Sequence, residues 1–165
     1  MGTRRLLSHL ISGRHSLTRA FPPAVLARIK AAVRIAESGH RAELRFAAEA
    51  GLDTGPLWRG QTSRDRALEA FSLLRVWDTE NNNGVLIYVL LADRCVEIVA
   101  DRGIAACVPQ QEWDAICAAM QRAYARGEFE AGSVEGVAAV GALLARHFPA
   151  APGGRNELPD APALL

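Results

Sequence analysis

The sequence predicts an α/β fold in which a small mixed sheet of three to four strands is sandwiched between helices on both faces. Three observations carry this reading. Residues 85–91, Val-Leu-Ile-Tyr-Val-Leu-Leu, form an unbroken apolar run of strand length, the pattern of a strand buried on both sides. Ala92-Asp93-Arg94 leaves room only for a tight turn, so Cys95-Val96-Glu97-Ile98-Val99-Ala100 returns as an antiparallel partner. On either side of this hairpin, apolar residues recur at three- and four-residue spacing over helical lengths. Alternating helices and strands then close into layers around a sheet.

The elements follow in chain order. Residues 1–20 are a basic N-terminal segment in which Leu6, Leu7, Leu10, Ile11 and Leu17 oppose Arg4, Arg5, Arg14 and Arg19. Such a face either rests weakly on an anionic membrane surface or packs as a first helix on the domain, and the second is the commoner use. Phe21-Pro22-Pro23 breaks the segment and opens a helix with Leu26, Ile29, Val33 and Ala36 on one stripe, ended by Ser38-Gly39. Leu44, Phe46, Ala48 and Ala50 alternate with Glu43, Arg45, Ala47 and Glu49, the period of a half-buried strand. Residues 51–60 read as a loop, after which Thr62 or Ser63 caps a helix carrying Ala67, Phe71 and Leu74. Beyond the hairpin, Pro109 opens a long helix with Trp113, Ile116, Cys117, Met120 and Tyr124, ending near Gly127. Ser133 starts another, with Val137, Gly141 and Leu144, closed by Phe148-Pro149. The domain is expected over residues 21–149, and residues 150–165, rich in Pro, Gly and Ala, are expected to be a disordered tail.

Composition narrows the function classes. The 165 residues carry 19 basic and 18 acidic side chains, a net charge of +1, which supplies no basic field for nucleic acid. Three Trp, two Tyr and five Phe form no basic–aromatic stripe, so nucleic acid is not an expected partner. No apolar run approaches the ~20 residues of a membrane span, and the N-terminus lacks a signal-peptide core, so a cytoplasmic location is the default. Cys95, Cys107 and Cys117 have neither disulfide nor zinc spacing and are expected to be buried, reduced thiols. His9, His15, His40 and His147 are dispersed and read as surface or helix-end residues rather than ligands. Phosphate-loop, dinucleotide, zinc-protease and serine-nucleophile motifs are all absent, and no organic cofactor is expected.

One stretch carries chemistry. In Trp77-Asp78-Thr79-Glu80-Asn81-Asn82-Asn83-Gly84, the residues Asp78, Glu80 and Asn82 alternate as in a calcium loop. The glycine falls one residue late and Val89 stands where a closing glutamate belongs, which excludes an EF-hand. Carboxylate, amide and carbonyl oxygens nonetheless suit a hard cation, calcium or magnesium. The same residues also make an ordinary turn that tolerates positive φ. A right-handed crossover would start the Glu43 and Val85 strands at one sheet edge, and the hairpin would return Asp101-Arg102-Gly103 to that edge. The candidate metal residues are therefore Asp78, Glu80, Asn82, Asn83 and Asp101, with Glu43 and His40 nearby.

The order WDTENNNGVLIYVLLADRCVEIVADRGI, then VPQQEWDAICAAM, then GEFEAGSVEGVAAVGALLARHFP resembles the TPM-domain family over residues 26–149. The most specific signatures are Asn82-Asn83-Gly84-Val85-Leu86-Ile87 and the G-x-[FY]-x-x-G-like element Gly127-Glu128-Phe129-Glu130-Ala131-Gly132. Family members include a plant thylakoid-lumen protein tied to photosystem II repair and many bacterial proteins classed as membrane proteins. The resemblance implies a four-stranded sheet flanked by helices, divalent-cation binding and, from the plant member, acid-phosphatase activity. This chain departs from the pattern in showing no secretion signal, membrane helix or Gly-rich tail, and in carrying Asp101-Arg102-Gly103 where many members have a G-[YF]-G turn. Two functions follow as expectations. The first is a soluble binding or interaction module, dependent on a divalent cation, for a protein partner or a small phosphorylated ligand. The second is a metal-assisted phosphomonoesterase in which Asp78, Glu80 and Asp101 hold the cation.

Overall fold

The computed structural model describes residues 5, 8, 9, 13–150 and 156–165. Among them the chain runs α1 (Arg14–Ala20), α2 (Pro23–Glu37), β1 (Glu43–Glu49), α3 (Thr54–Trp58), α4 (Ser63–Leu73), β2 (Gly84–Leu90) and β3 (Cys95–Ala100). It continues with α5 (Arg102–Ala105), α6 (Gln110–Ala125), α7 (Phe129–His147) and β4 (Ala163–Leu164). The four strands form one mixed sheet in the order β3-β2-β1-β4, with β2–β3 antiparallel and β1 parallel to both its neighbours. Helices cover both faces, as the apolar pattern predicts.

Strand β2 divides the interior into two cores. Val85, Ile87 and Val89 join Ile29 and Val33 of α2, Trp113 and Met120 of α6, and Val137 and Leu144 of α7. Leu86, Tyr88 and Leu90 join Leu57 of α3 and Ala67, Ala70 and Phe71 of α4. The expected half-buried β1 is instead covered on both faces. Its Glu49 is buried because Arg66 donates to both carboxylate oxygens (2.8 and 3.0 Å) and the Tyr88 hydroxyl donates a third bond (2.5 Å). A paired, hydrogen-bonded carboxylate need not face water, so the charge at that position misreports the strand's exposure.

Local chemistry explains the element ends. Thr62, not Ser63, caps α4 in a capping box: its hydroxyl accepts from Asp65 N–H (3.1 Å) and its own N–H donates to Asp65 (2.9 Å). Residues 51–60 contain the short helix α3 as well as loop. Helix α7 starts at Phe129, four residues before the expected Ser133, whose hydroxyl bonds back to the Phe129 carbonyl and meets the Tyr124 hydroxyl (both 2.7 Å). A serine in mid-helix makes such i−4 bonds and so imitates a cap.

The described residues at both chain ends pack on the domain. The described part of the N-terminal segment packs on the domain, with Leu17 and Ala20 in the core beside Phe21, whose ring meets Phe46, Tyr124 and Phe129. Leu6, Leu7, Leu10 and Ile11, with Arg4, lie outside the described residues. The expected disordered tail is corrected for residues 156–165, which strap across the outer edge of β1; residues 151–155 lie outside the described residues. Glu43 accepts from the Glu157 and Leu158 N–H groups (3.0 Å each), and Arg45 donates to the carbonyls of Pro159 and Ala161. Leu158 is 7% exposed, and β4 pairs with Ala47 and Ala48. Proline is tolerated here because an edge strand needs few donors.

His9 and His40 are buried rather than superficial. The three thiols are free, Cys107 exposed and the others half-buried; burial pushes both Cys95 and Cys117 up, Cys117 to about 12. Among the described residues no helix is long and apolar enough to cross a membrane.

Two outcomes are expected. Trp113 is 3% exposed within the core, so Trp113→Ala should cost ~3–5 kcal/mol and lower the melting temperature accordingly; an unchanged melt would contradict the packing of α6. The second concerns Glu37, which accepts from Leu44 N–H (2.8 Å) beside Glu43 and Asp160. Burial, reinforced by these carboxylates and opposed by the Leu44 bond, pushes Glu37 up to about 8 from 4.5. The native state then keeps a proton that the unfolded chain has lost, so this group's contribution to stability declines as pH rises from about 4.5 to about 8. Glu37→Gln should flatten that decline in denaturant titrations and be more stable than the parent at pH 8.

Candidate functional site

The parallel register pairs Glu43 with Gly84, and the hairpin pairs Val85 with Ala100. Together they bring the loop before β2 against the turn after β3. Asp101 N–H donates to the Gly84 carbonyl (2.8 Å) and Gly103 N–H to the Asn82 carbonyl (3.1 Å). Both glycines are required by close approach. A Cβ on Gly103 would stand 2.6 Å from the Asn82 carbonyl oxygen, and one on Gly84 would overlap the carbonyl of Val76.

Each predicted residue has a definite place. Asn83 is 8% exposed and held at three points. Its N–H donates to the Thr79 hydroxyl (3.1 Å), its carbonyl accepts from Glu43 N–H (3.1 Å), and its side-chain amide donates to the Arg41 carbonyl. A carbonyl can only accept, so the NH2 faces Arg41 and Oδ1 is turned away. That oxygen is buried with no hydrogen-bond partner among the described residues, and Asp101 Oδ2 is the same. The other Asp101 oxygen accepts from Arg102 N–H (2.7 Å) and caps α5. Asn82 adopts φ +50°, as the turn reading expects, and its Oδ1 accepts from the Arg102 guanidinium.

The remaining candidates point elsewhere. Asp78 pairs with Arg75 at the surface (2.7 Å), and Glu80 is exposed, its N–H donating to Glu157 (3.1 Å). Glu43, whose carboxyl burial pushes up, serves the C-terminal strap. His40 donates from Nδ1 to the Ala42 carbonyl (3.0 Å), and burial holds its pKa down. Among the described residues no group of three or more His, Cys, Asp or Glu side chains could share a metal. What the fold brings together is a main-chain junction between the loops that carry Asn82, Asn83 and Asp101, rather than a triad of carboxylates. Beside it lies a pocket of about 230 Å³ lined by Arg41, Ala42, Asn81, Asn83, Gly103, Ile104 and Phe148. Arg41 and Arg102 were not among the sequence candidates. Continued beyond the strands, the hairpin register places Gly103 opposite Asn82 and Arg102 one residue away, opposite Asn83, and that was the available signal for Arg102.

A family model described as the TPM domain matches residues 17–143. The chain belongs to the TPM-domain family. This TPM domain is similar in structure to the BA42 protein of the psychrophilic bacterium Bizionia argentinensis, solved by NMR. The two are 31% identical with a TM-score of 0.76, over 86% of this chain and 93% of that one. No curated protein matches at a significant level. The four-stranded sheet that the resemblance implied is present, with β4 as the strand that sequence periodicity did not place.

The glycine contacts make the junction of the TPM domain testable. Gly84→Ala has no room against the Val76 backbone, so it should destabilise the fold by about 1–3 kcal/mol or more, read as a lower denaturation midpoint. Gly60→Ala, in open space, should pay only for its positive φ of 78°.

Proposed function

We propose that this TPM domain is a binding module whose ligand site depends on a divalent cation held at the junction of the β2-entering loop and the turn after β3. The observation that carries this is the pair of buried acceptors, Asn83 Oδ1 and Asp101 Oδ2, with no partner among the described residues. An orphaned buried acceptor costs about 1–3 kcal/mol, and a cation would relieve two at once. Amide and carboxylate oxygens are the donors that calcium and magnesium take. Asn83 and Asp101, with the Asn82 amide oxygen, would hold the ion, while Glu80 contributes negative charge on the same loop. When bound, the ion would supply a fixed positive charge against which an anionic group can dock. Arg41, on the pocket wall, would orient that group, which suits a phosphorylated small molecule or an acidic side chain of a protein partner.

Phosphomonoester hydrolysis is the second reading, favoured by the same Arg41 beside the oxygen donors. Saturable turnover of a chromogenic phosphate ester with calcium, magnesium or manganese, lost in Asp101→Asn, would replace the binding-module reading with this one.

For the cation itself, millimolar calcium should raise the melting temperature by several degrees, since a ligand at a hundredfold excess over Kd adds about 2.7 kcal/mol. Asp101→Asn should remove most of that response. Asp78→Asn should keep most of it, because Asp78 is paired with Arg75. A melt indifferent to calcium and to chelator would leave residues 81–84 as a turn alone.

A further inference from the structure

Arg102 follows the Asp101 cap, and its side chain reaches across to the opposite loop. Nε (3.1 Å) and Nη2 (2.8 Å) both donate to Asn82 Oδ1. An amide oxygen has two lone pairs, so one guanidinium satisfies it completely. Asn82 is itself fixed, by its left-handed backbone and by the Gly103 N–H on its carbonyl, so its side chain leaves from a defined point. The neighbouring acceptors differ: Asn83 Oδ1, on a side chain 8% exposed that lines the pocket, and Asp101 Oδ2 are buried without a partner among the described residues. The Asn82 oxygen is thus occupied by a cation belonging to the chain, while these two acceptors are not.

We propose, building on the cation-dependent reading, that Arg102 is a built-in competitor for the divalent cation, which gains the Asn82 oxygen only by displacing the guanidinium. Arg102 is exposed, so its side chain can swing into water at little cost, as surface contacts of long side chains are weak. Its positive charge also opposes a dication at short range. Both effects raise the cation concentration at which the site fills, and Arg102 sets that threshold.

Calcium titration calorimetry on the full chain tests this with Arg102→Gln, Asn82→Gly and the double variant. Glutamine removes the charge, and glycine accepts the positive φ of Asn82. Arg102→Gln should bind calcium about tenfold more tightly than the parent. In the Asn82→Gly background the gain should shrink to about twofold, the residue of general charge repulsion. Loss of binding in Asn82→Gly beside tighter binding in Arg102→Gln also supports competition, since the contested oxygen is then a ligand. Equal or weaker binding by Arg102→Gln overturns the competitor and leaves the cation site standing. An undiminished gain in the Asn82→Gly background overturns it too, as repulsion without a contested oxygen. Absence of binding in the parent and in every variant removes the cation reading itself, and the competitor with it.

Discussion

Every residue of β2, Gly84–Leu90, is buried, so both faces of that strand must be covered and both edges paired. Its odd positions face one helical layer and its even positions the other. Its edges take β1 in parallel and β3 in antiparallel orientation. A parallel neighbour requires a crossover, which α3 and α4 supply, and an antiparallel one needs only the short turn at residues 91–94. With these directions set, the start of β1, the start of β2 and the end of β3 share one end of the sheet. The oxygen-rich junction is a consequence of that geometry.

Gly84 makes the arrangement tight. It begins β2 where the chain passes against the Val76 carbonyl, and the next contact outward is the Gly103 backbone on Asn82. Two loops separated by the whole hairpin are therefore clamped by main-chain bonds. The interior handles its other carboxylates differently. Glu49 is paired with Arg66 and accepts a hydrogen bond from Tyr88, Glu43 takes two N–H groups of the strap, and Glu37 accepts the Leu44 N–H, with burial favouring its protonated form. Asp101 Oδ2 and Asn83 Oδ1 have no such accommodation among the described residues. His40 Nε2 and Arg45 Nε are likewise unpartnered among the described residues, but Asn83 Oδ1 and Asp101 Oδ2 are the unpartnered oxygens.

Much of this was legible in the residues. The apolar run of β2 and the short turn after it specify the hairpin, and the hairpin with a right-handed crossover brings Asn82, Asn83 and Asp101 together. Periodicity, however, reports which positions are buried and not what they touch. The alternation of β1 reads as one wet face because the pairing of Glu49 with Arg66 and Tyr88 cannot be seen in a local window. Asp78 fits a calcium-loop spacing, yet Arg75, three residues earlier, takes its carboxylate. The strap over β1 depends on Glu43 and Arg45, more than a hundred residues from the backbone they hold. Composition, dominated there by Pro, Gly and Ala, has no means of recording such contacts.

The decisive observable is where a cation acts. A calcium titration of the isotope-labelled protein, followed by backbone amide shifts, reads that position residue by residue. Saturable shifts are expected at residues 79–84 and 101–104, with β4 and the far end of the sheet unmoved. Shifts centred on the Asp78–Arg75 surface or on the Glu43 strap, or none at millimolar calcium, would contradict the proposed site.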